Sequence, residues 1–377
     1  MTRKSERATV ADVLAALDAI SPLAGAEEWD NVGLLAGRGE WPVQRALLAM
    51  DLTDAVAREA LSKQVQALVL YHPPIFKGTR KLTAAADAPT TLLPDVLAAG
   101  MSLLATHTAL DAAAGGTNDV LLDAIAPTSR RPLELHVVQE RTYKLVVFVP
   151  PGEVDRLRAA LAAAGAGRIG HYEECSFELA GRGTFRGDET TRPRVGRKLV
   201  LEHADEVRLE TVVPRAQLGD VVRALYAHHS YEEPAFDVYP VHETPGRAAT
   251  GMGRVGQLAR PQRGTTLVQR LADRVDLSCA TVVGDLRRSF RSVTAAAGAF
   301  GVKAFNDPDS LVFTGEFKHH DALALQRRGV TAVQLGHYAS ERPALEVLRG
   351  RLKTRVAGVR FELARADRSP LAPLKTR

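Results

Sequence analysis

Cysteine is nearly absent from this chain of 377 residues, which contains only Cys175 and Cys279. The two lie far apart and form no CxxC pair, so the sequence argues against a disulfide scaffold and against a thiolate zinc site. It also lacks an apolar stretch long enough to span a membrane, and its charged N-terminal segment has no continuous apolar core. We therefore expect a soluble, cytoplasmic protein with no membrane partner.

Charge of one sign is not concentrated in any segment. The 49 Lys and Arg residues exceed the 44 Asp and Glu residues by a formal charge of +5, and no long basic run occurs. Nucleic-acid binding is not indicated, and a DNA-associated ring is the weakest hypothesis because only the net charge favours it. Two enzyme motifs are also missing: there is no GxSxG, and the small-residue segment 294–301 lacks the Lys and Ser or Thr of a P-loop.

Short apolar runs alternate with helix-like segments in both outer parts of the chain. The runs are 45–53, 66–76, 101–111, 278–285, 291–298, 310–316 and 331–337. A helix predicted at 339–352 follows the last of them. This alternation predicts an α/β fold with mostly parallel central sheets covered by helices.

The pattern changes between residues 141 and 242. That segment contains two successive strand–helix–strand units, which is the split pattern of ferredoxin-like α+β modules, and a Gly-rich joint follows it. We therefore predict a discontinuous α/β domain of residues 1–130 and 250–365, interrupted by an inserted ferredoxin-like domain of residues 141–242. Residues 366–377 remain as a basic tail, for which disorder is one expectation.

Ionisable side chains stand at the ends of the outer apolar runs. They are Asp51, Tyr71, His72, His107, Asp111, Glu316, His337 and Glu341. Ligands of an open parallel sheet bind beyond the carboxyl ends of its strands, so we expect these side chains to share one cleft. Imidazole and carboxylate donors without thiolate suit zinc, manganese, iron or magnesium, and bridging carboxylates would allow two ions. His337 and Glu341 are four positions apart, which puts both on one face of a helix.

Three further segments with His leave alternatives open. Taken alone, His72 before two prolines is more often a turn or core residue than a ligand. The segment 227–236 contains two His and two Glu, and it is either a second metal site or a polar loop at a module edge. His319 and His320 come just after Glu316 and are expected to line the cleft or its rim.

Several blocks occur together in one order: EEWDNVGLLAG, YHPPIFKG, THTALDAAAGGTND, FTGEFKHHDALA and GHYASE. They resemble the signature blocks of the GTP cyclohydrolase 1 type 2 homologue family, the Nif-three-like metal-binding proteins. The inserted segment is similar to the additional domain of the longer bacterial members, which is related to trimeric signalling proteins. The resemblance implies a two-part α/β fold, a cleft with one or two divalent ions per chain, and a homohexamer built from trimers.

The resemblance also assigns metal-ligand positions. These are Tyr71, His72, Asp111, His337 and Glu341, with Glu341 or His107 as candidates for shuttling a proton. The family has a His-His pair where this chain has Tyr71-His72, and a phenol with a free pKa of about 10 is a poor ligand for most divalent ions at neutral pH. Whether one ion or two are bound is therefore open at this point, and His107 could replace the missing imidazole.

Two functions follow as hypotheses. The first is a metal-dependent hydrolase that acts on a nucleotide or related phosphate compound through a metal-activated water. The second is a non-enzymatic oligomeric protein that carries a metal or binds a regulatory ligand. Tyr71 discriminates between them, because the loss of one ligand suits a binding protein better than a two-ion hydrolase.

Overall fold

The structure is a computed structural model that describes residues 7–78, 82, 89–135, 142–170, 172–241 and 250–374. Two compact units make up the chain. The first combines Met1–His136 with Arg247–Arg377, and the second is Val137–Gly246. Within the described residues, no helix is both long and apolar enough to cross a membrane.

Strands and helices alternate in the first part of the first unit. The strands are β1 (Gly33–Ala36), β2 (Arg45–Ala49), β3 (Ala67–Leu70), β4 (Ser102–Ala105) and β5 (Ser129–Leu135). The helices are α1 (Val10–Ile20), α2 (Asp54–Lys63), α3 (Leu93–Ala98), α4 (His107–Ala112) and α5 (Thr117–Asp123). Two of these helices are capped at their N-termini by nearby side chains. Thr9 and Asp12 form a capping box at α1, and Thr53 caps α2.

The second unit has the element order strand, helix, strand, strand, helix, strand. The elements are β6 (Thr142–Val149), α6 (Val154–Ala163), β7 (Ser176–Phe185), β8 (Glu202–Pro214), α7 (Leu218–His228) and β9 (Phe236–Pro240). The described strands pair antiparallel in the order β7, β8, β6, β9. Leu157 of α6 and Leu225 of α7 share a buried cluster with Leu145 and Leu209, so helices cover one face of this sheet.

The chain then completes the first unit. The strands are β10 (Gly251–Arg263), β11 (Thr281–Val283), β12 (Ser289–Ala296), β13 (Ser310–Thr314), β14 (Thr331–Gln334) and β15 (Arg360–Leu363). The helices are α8 (Gly264–Ala272), α9 (His319–Arg327) and α10 (His337–Arg355). Helix α10 begins at His337 rather than at residue 339, and this earlier start places His337 and Glu341 on the same helix.

A five-stranded sheet forms within the described residues of the first unit, in the order β1, β4, β3, β2, β15. Strands β4, β3, β2 and β15 are parallel, and β1 is antiparallel to β4. Successive strand residues face opposite sides, because Leu48 packs in the cluster of α1 and α10 whereas Leu47 packs in the cluster of α2 and α3. Burial on both faces explains the continuous apolar sequences of these strands.

The other sheet of this unit is mixed rather than mostly parallel. Its described strands follow the order β11, β14, β13, β12, β10, β5. Strands β12, β13 and β14 are parallel, but β5, β10 and β11 each pair antiparallel with their neighbours. The apolar run at 278–285 predicts a buried strand, yet β11 lies at the sheet edge and Val282 is 48% exposed. An edge strand has a neighbour on one side only, which leaves such a residue open to solvent.

Candidate metal centre

Strand ends of both sheets in the first unit bring ionisable side chains together. His72 follows β3 of the five-stranded sheet, and His337 begins α10 just after β14 of the mixed sheet. Glu341 lies one turn further along α10 and is only 2% exposed. Gly336 has a φ of 91°, a left-handed conformation that glycine adopts without strain, and it turns the chain from β14 into α10. Two histidines that are 265 positions apart thus meet in one cleft.

Three side chains direct donor atoms to a common point: His72, His337 and Glu341. The His72 Nε2 atom is 3.2 Å from Glu341 Oε2, the His337 Nε2 atom is 3.3 Å from Glu341 Oε1, and the two Nε2 atoms are 3.4 Å apart. Donors bound at about 2.0–2.1 Å to a tetrahedral ion lie about 3.3 Å from one another, so this spacing suits one ion. Glu341 Oε2 is buried and has no aligned hydrogen-bond partner among the described residues, as expected of a metal ligand.

A carboxylate orients each of the two imidazoles. His72 Nδ1 lies 2.9 Å from Asp51 Oδ1, and His337 Nδ1 lies 3.2 Å from Glu316 Oε1. When Nδ1 donates its proton to a carboxylate, Nε2 is left with a lone pair for a metal ion, and this arrangement is usual around protein metal sites. Asp51 follows β2 and Glu316 follows β13, so strand ends supply the orienting groups as well as the donors.

The carboxylates around His72 also change its pKa. Burial alone would lower the pKa of His72, but its contacts with the carboxylates of Asp51 and Glu341 outweigh burial and raise that pKa to about 10. In the metal-free protein both ring nitrogens of His72 are therefore protonated at neutral pH. A metal ion that binds Nε2 must displace this proton, because only the neutral imidazole is a ligand.

Tyr71 and Asp111 lie beside these three donors and bind each other. The Tyr71 hydroxyl donates to Asp111 Oδ1 and lies 3.0 Å from Thr117 Oγ1. Burial, together with the charges of Asp111 and Glu341, raises the pKa of Tyr71 well above its usual value, so the phenol keeps its proton at neutral pH. Burial and the charge of Glu341 also raise the pKa of Asp111 to about 6. Within the described ranges, Asp111 does not belong to the group of converging donors.

His107 is held by a residue whose role the sequence did not reveal. Its Nδ1 atom lies 2.8 Å from Asp30 Oδ1, and the fully buried Asp30 carboxylate also accepts from the amide and the hydroxyl of Thr108. Burial opposes ionisation of Asp30, but the bonds from His107 and Thr108 prevail and lower its pKa. Trp29 beside it is 57% exposed, and its ring lies 5.7 Å from that of Phe76 and 5.9 Å from that of His107 between centroids. Asp30 belongs to the WDN block, but nothing in the local sequence pairs it with His107, which is 77 positions away.

The remaining predicted cleft residues lie outside the group of three converging donors. Glu316 is half exposed and reaches the centre only through His337. His319 and His320 begin α9 and are exposed, and His320 Nε2 lies 3.6 Å from Asp321 Oδ1. In the described part of the chain, neither of these two histidines joins the converging donors.

Glycines of the segment 294–301 and its neighbour give Glu341 its space. A Cβ atom on Gly298 would lie 2.4 Å from Glu341 Oε1, and one on Gly315 would lie 2.3 Å from the Gly298 carbonyl oxygen. Such distances are too short for real contacts, so only glycine fits at both positions. The Gly298 amide also donates to Ser340 Oγ. The segment 294–301 therefore packs against Glu341 of the metal centre.

A cavity of about 850 Å³ opens beside His72 and His337. One wall consists of residues 367–373, which belong to the basic tail, and Asp367 in this wall is buried. Arg342 Nε lies 3.0 Å from Asp367 Oδ2 and anchors the segment to α10. The cavity is large enough for a small organic ligand next to the three donors.

The Duf34/NIF3 (NGG1p interacting factor 3) family model matches residues 8–370 of this chain. The chain belongs to the NIF3 family. Two relatives named GTP cyclohydrolase 1 type 2 homolog support this assignment. The Bacillus subtilis protein is 34% identical over 342 residues, covering 87% of this chain and 88% of its own. The Mycobacterium tuberculosis protein is 33% identical over 352 residues, covering 90% and 91%. The resemblance seen in the sequence is therefore confirmed.

Two solved structures have the same fold. A Bacillus cereus protein related to NIF3 is 28% identical, with a TM-score of 0.72 over 98% of this chain and 99% of that one. A Staphylococcus aureus protein is 25% identical, with a TM-score of 0.76 over the same shares. Because both alignments span nearly the whole chain, the second unit is shared with these two proteins rather than peculiar to this one.

Proposed function

We propose that this NIF3 protein is a metal-dependent hydrolase whose centre binds a divalent ion through His72, His337 and Glu341. The observation that carries the proposal is the convergence of these three donors, with each imidazole oriented by its own carboxylate. Two imidazoles and a carboxylate suit zinc, manganese or iron, and magnesium is a weaker fit because it prefers oxygen donors. When bound, such an ion supplies a water of lowered pKa as the nucleophile.

His107 is our candidate for moving the proton of that water. Asp30 holds its Nδ1 atom, and Nε2 has no hydrogen-bond partner among the described residues. The His107 ring lies 5.3 Å from the His72 ring, measured between centroids, which puts it next to the centre without joining the donors. An imidazole whose Nδ1 is fixed by a carboxylate is suited to act as a general base through Nε2. Glu341 is the alternative shuttle.

A nucleotide or related phosphate compound is the substrate class that we propose. The name of the relatives, GTP cyclohydrolase 1 type 2 homolog, refers to such a compound. Arg274 and Arg368 line the cavity, and neither side chain has an ion-pair partner within the described residues. Free guanidinium groups bind phosphate through paired hydrogen bonds, so they are suited to hold a substrate phosphate beside the metal centre.

The test is turnover by the metal-loaded full-length protein. Zinc-, manganese- and iron-loaded samples are incubated with GTP and with a panel of nucleoside phosphates, while formate, inorganic phosphate and the purine absorbance are followed. We expect turnover with at least one metal, its loss in Glu341→Gln, and a raised KM with little change in kcat in Arg274→Ala. No product with any metal or substrate would remove the hydrolase function.

A non-enzymatic metal carrier or ligand-binding protein is the second candidate. The observation that favours it is the engagement of Tyr71 with Asp111, which leaves fewer donors than a two-ion hydrolase uses. Tight metal binding in equilibrium dialysis, together with absent turnover in the panel above, would support this function over the first.

We also propose that the second unit is a ferredoxin-like domain and that it helps to build a homohexamer from trimers. Its element order and its strand order β7, β8, β6, β9 support the fold. Across β7 and β8, Phe177 pairs with Glu210 and Leu179 with Arg208, while Leu209 faces the helices. Strand alternation therefore puts Phe177 and Leu179 on the face without helices, where both are exposed.

Exposed apolar side chains on an uncovered sheet face are typical of a subunit contact. Light scattering of the wild type should give the mass of six chains. The double variant Phe177→Ser with Leu179→Ser should give a smaller species with unchanged metal content. A monomeric wild type at micromolar concentration would refute the assembly and leave the metal centre untouched.

A further inference from the structure

Asp111 is the carboxylate next to the three converging donors. It is buried, and it accepts from the hydroxyl of Tyr71, whose ring lies 5.2 Å from the ring of His72 between centroids. Two ions in a hydrolytic site lie about 3.5–4 Å apart, so a second ion would need donors beyond the three that converge here. Asp111 therefore decides whether the centre has room for a second ion beyond Glu341.

The phenol of Tyr71 already donates a hydrogen bond to the Asp111 carboxylate. Its hydroxyl donates to Asp111 Oδ1 and lies 3.0 Å from Thr117 Oγ1, so the oxygen is engaged on two sides. The Tyr71 ring is fully buried in the same cluster as Leu110, so it cannot leave Asp111 without opening the core. Asn118 Nδ2 donates to the Asp111 carbonyl oxygen at 3.0 Å and holds the backbone of the acid as well.

The Tyr71 hydroxyl offers little to a metal ion while it donates to Asp111. A phenol that is engaged as a hydrogen-bond donor to a carboxylate is a weak ligand for zinc or manganese. By contrast, the donors around Glu341 have the spacing of a complete single-ion site, and each imidazole is already oriented by a carboxylate. The structure thus offers one set of free donors, with a hydrogen-bonded pair beside it.

We propose that Tyr71 limits the centre to one divalent ion by keeping Asp111 hydrogen-bonded. The ion is held by His72, His337 and Glu341, and Asp111 is not a ligand. The inference rests on the proposed metal centre and states how many ions it holds. It also makes Tyr71 the residue that sets this number, since an imidazole at the same position would offer Asp111 a metal-binding neighbour instead of a proton donor.

The test counts ions in the full-length protein. Elemental analysis gives the metal content per chain, and titration of metal-free protein with Co²⁺, followed by visible absorption, gives the number of equivalents at saturation. We expect one ion in the wild type. Tyr71→Phe and Asp111→Asn should each keep one ion, because neither removes a ligand and because Phe adds no donor that could hold a second ion together with Asp111. Tyr71→His should gain a second, weaker equivalent, and Asp111→Asn in that background should abolish the gain.

The outcomes separate this inference from the metal centre on which it rests. Two tightly bound ions in the wild type, loss of the single ion in Tyr71→Phe, or saturation of Tyr71→His at one equivalent would overturn the role of Tyr71 and leave the centre standing. A wild type that binds no ion would overturn the centre itself. Circular dichroism and thermal unfolding identify any variant that fails to fold. If Asp111→Asn does so, Tyr71→Phe decides, because it retains the packed ring.

Discussion

The histidines of the two units differ in what their ring nitrogens bind. In the first unit, Nδ1 of His72 and of His337 faces a carboxylate, and the two Nε2 atoms lie 3.4 Å apart. In the second unit, His229 Nε2 lies 2.9 Å from the Phe148 carbonyl oxygen, and its Nδ1 accepts from the Tyr231 amide. Both nitrogens of His229 are thus taken by the backbone, and no lone pair is left for an ion.

The segment 227–236 therefore supports the polar-loop interpretation. His228 Nδ1 lies 3.0 Å from the Ala224 carbonyl oxygen, and Glu232 accepts from the Arg192 amide. Among the described residues of the second unit, no three donors converge. The comparison teaches that His and Glu close together in sequence predict a metal site poorly, because what counts is which nitrogen the fold leaves free.

The largest expected effect is the loss of the buried donor. Glu341→Gln removes the only carboxylate among the three donors and leaves a neutral amide of the same size, so we expect metal affinity to fall by more than about 100-fold. Competition titration with a chelating dye measures this. The matched control in the histidine-rich loop, Glu233→Gln, should bind metal like the wild type. Equal metal affinity of Glu341→Gln and Glu233→Gln would show that the first unit does not hold the metal centre through Glu341.

A smaller loss is expected when an orienting carboxylate is neutralised. Asp51→Asn keeps the size of the side chain but weakens its hold on His72 Nδ1, and such changes lower metal affinity by about 10–100-fold. Glu316→Gln should have a weaker effect in the same direction, because its contact is longer, 3.2 Å against 2.9 Å, and because His337 is more exposed than His72. The same titration ranks the two variants, and a larger loss in Glu316→Gln would show that the orienting groups are misassigned.

The stability of the metal-free protein should depend on pH through the protonation of His72. Its pKa is about 10 when folded and about 6.5 when unfolded, so the stabilisation by its carboxylate partners is complete below pH 6.5 and is lost as the pH rises through 10. Urea denaturation of the metal-free wild type should show a free energy of unfolding that falls from pH 7 to 10. His72→Gln should show a shallower fall, and parallel curves for the two proteins would contradict the protonated state.

The smallest effect on metal is expected from His229→Gln. Since its ring nitrogens bind only backbone groups, we expect unchanged metal content and a loss of stability of about 1 kcal/mol from the missing hydrogen bonds. Elemental analysis and urea denaturation check the two halves of this statement. A drop in metal content would mean that the second unit contains ligands after all.

Much of the fold follows from local patterns in the sequence. Runs buried on both faces, such as β2 and β3, are continuous apolar sequences, and their helices follow at regular intervals. Strand β11 escaped this reasoning, because Thr281–Val283 looks as apolar as a central strand. Its exposure depends on its place at the sheet edge, and strand order is not written in the local sequence.

The candidate site was foreseen as a set of residues but not as an arrangement. Strand ends pointed to His72, His337 and Glu341, since polar groups that follow buried strands gather at one edge of a sheet. The sequence could not show that Asp30 binds His107, because those residues are 77 positions apart and neither is unusual locally. Nor could it show that Gly298 is needed to make room for Glu341.

The sequence by itself therefore determined the chemistry on offer: imidazole and carboxylate groups at strand ends, no converging thiolates, and a Tyr directly before His72. Only the tertiary structure decided how that chemistry is used. It oriented His72 and His337 through carboxylates, used up both nitrogens of His229 with backbone groups, and bound Asp111 to Tyr71. The physical reason is that a donor atom is defined by its hydrogen bonds, and these bonds join residues that the chain brings together only when it folds.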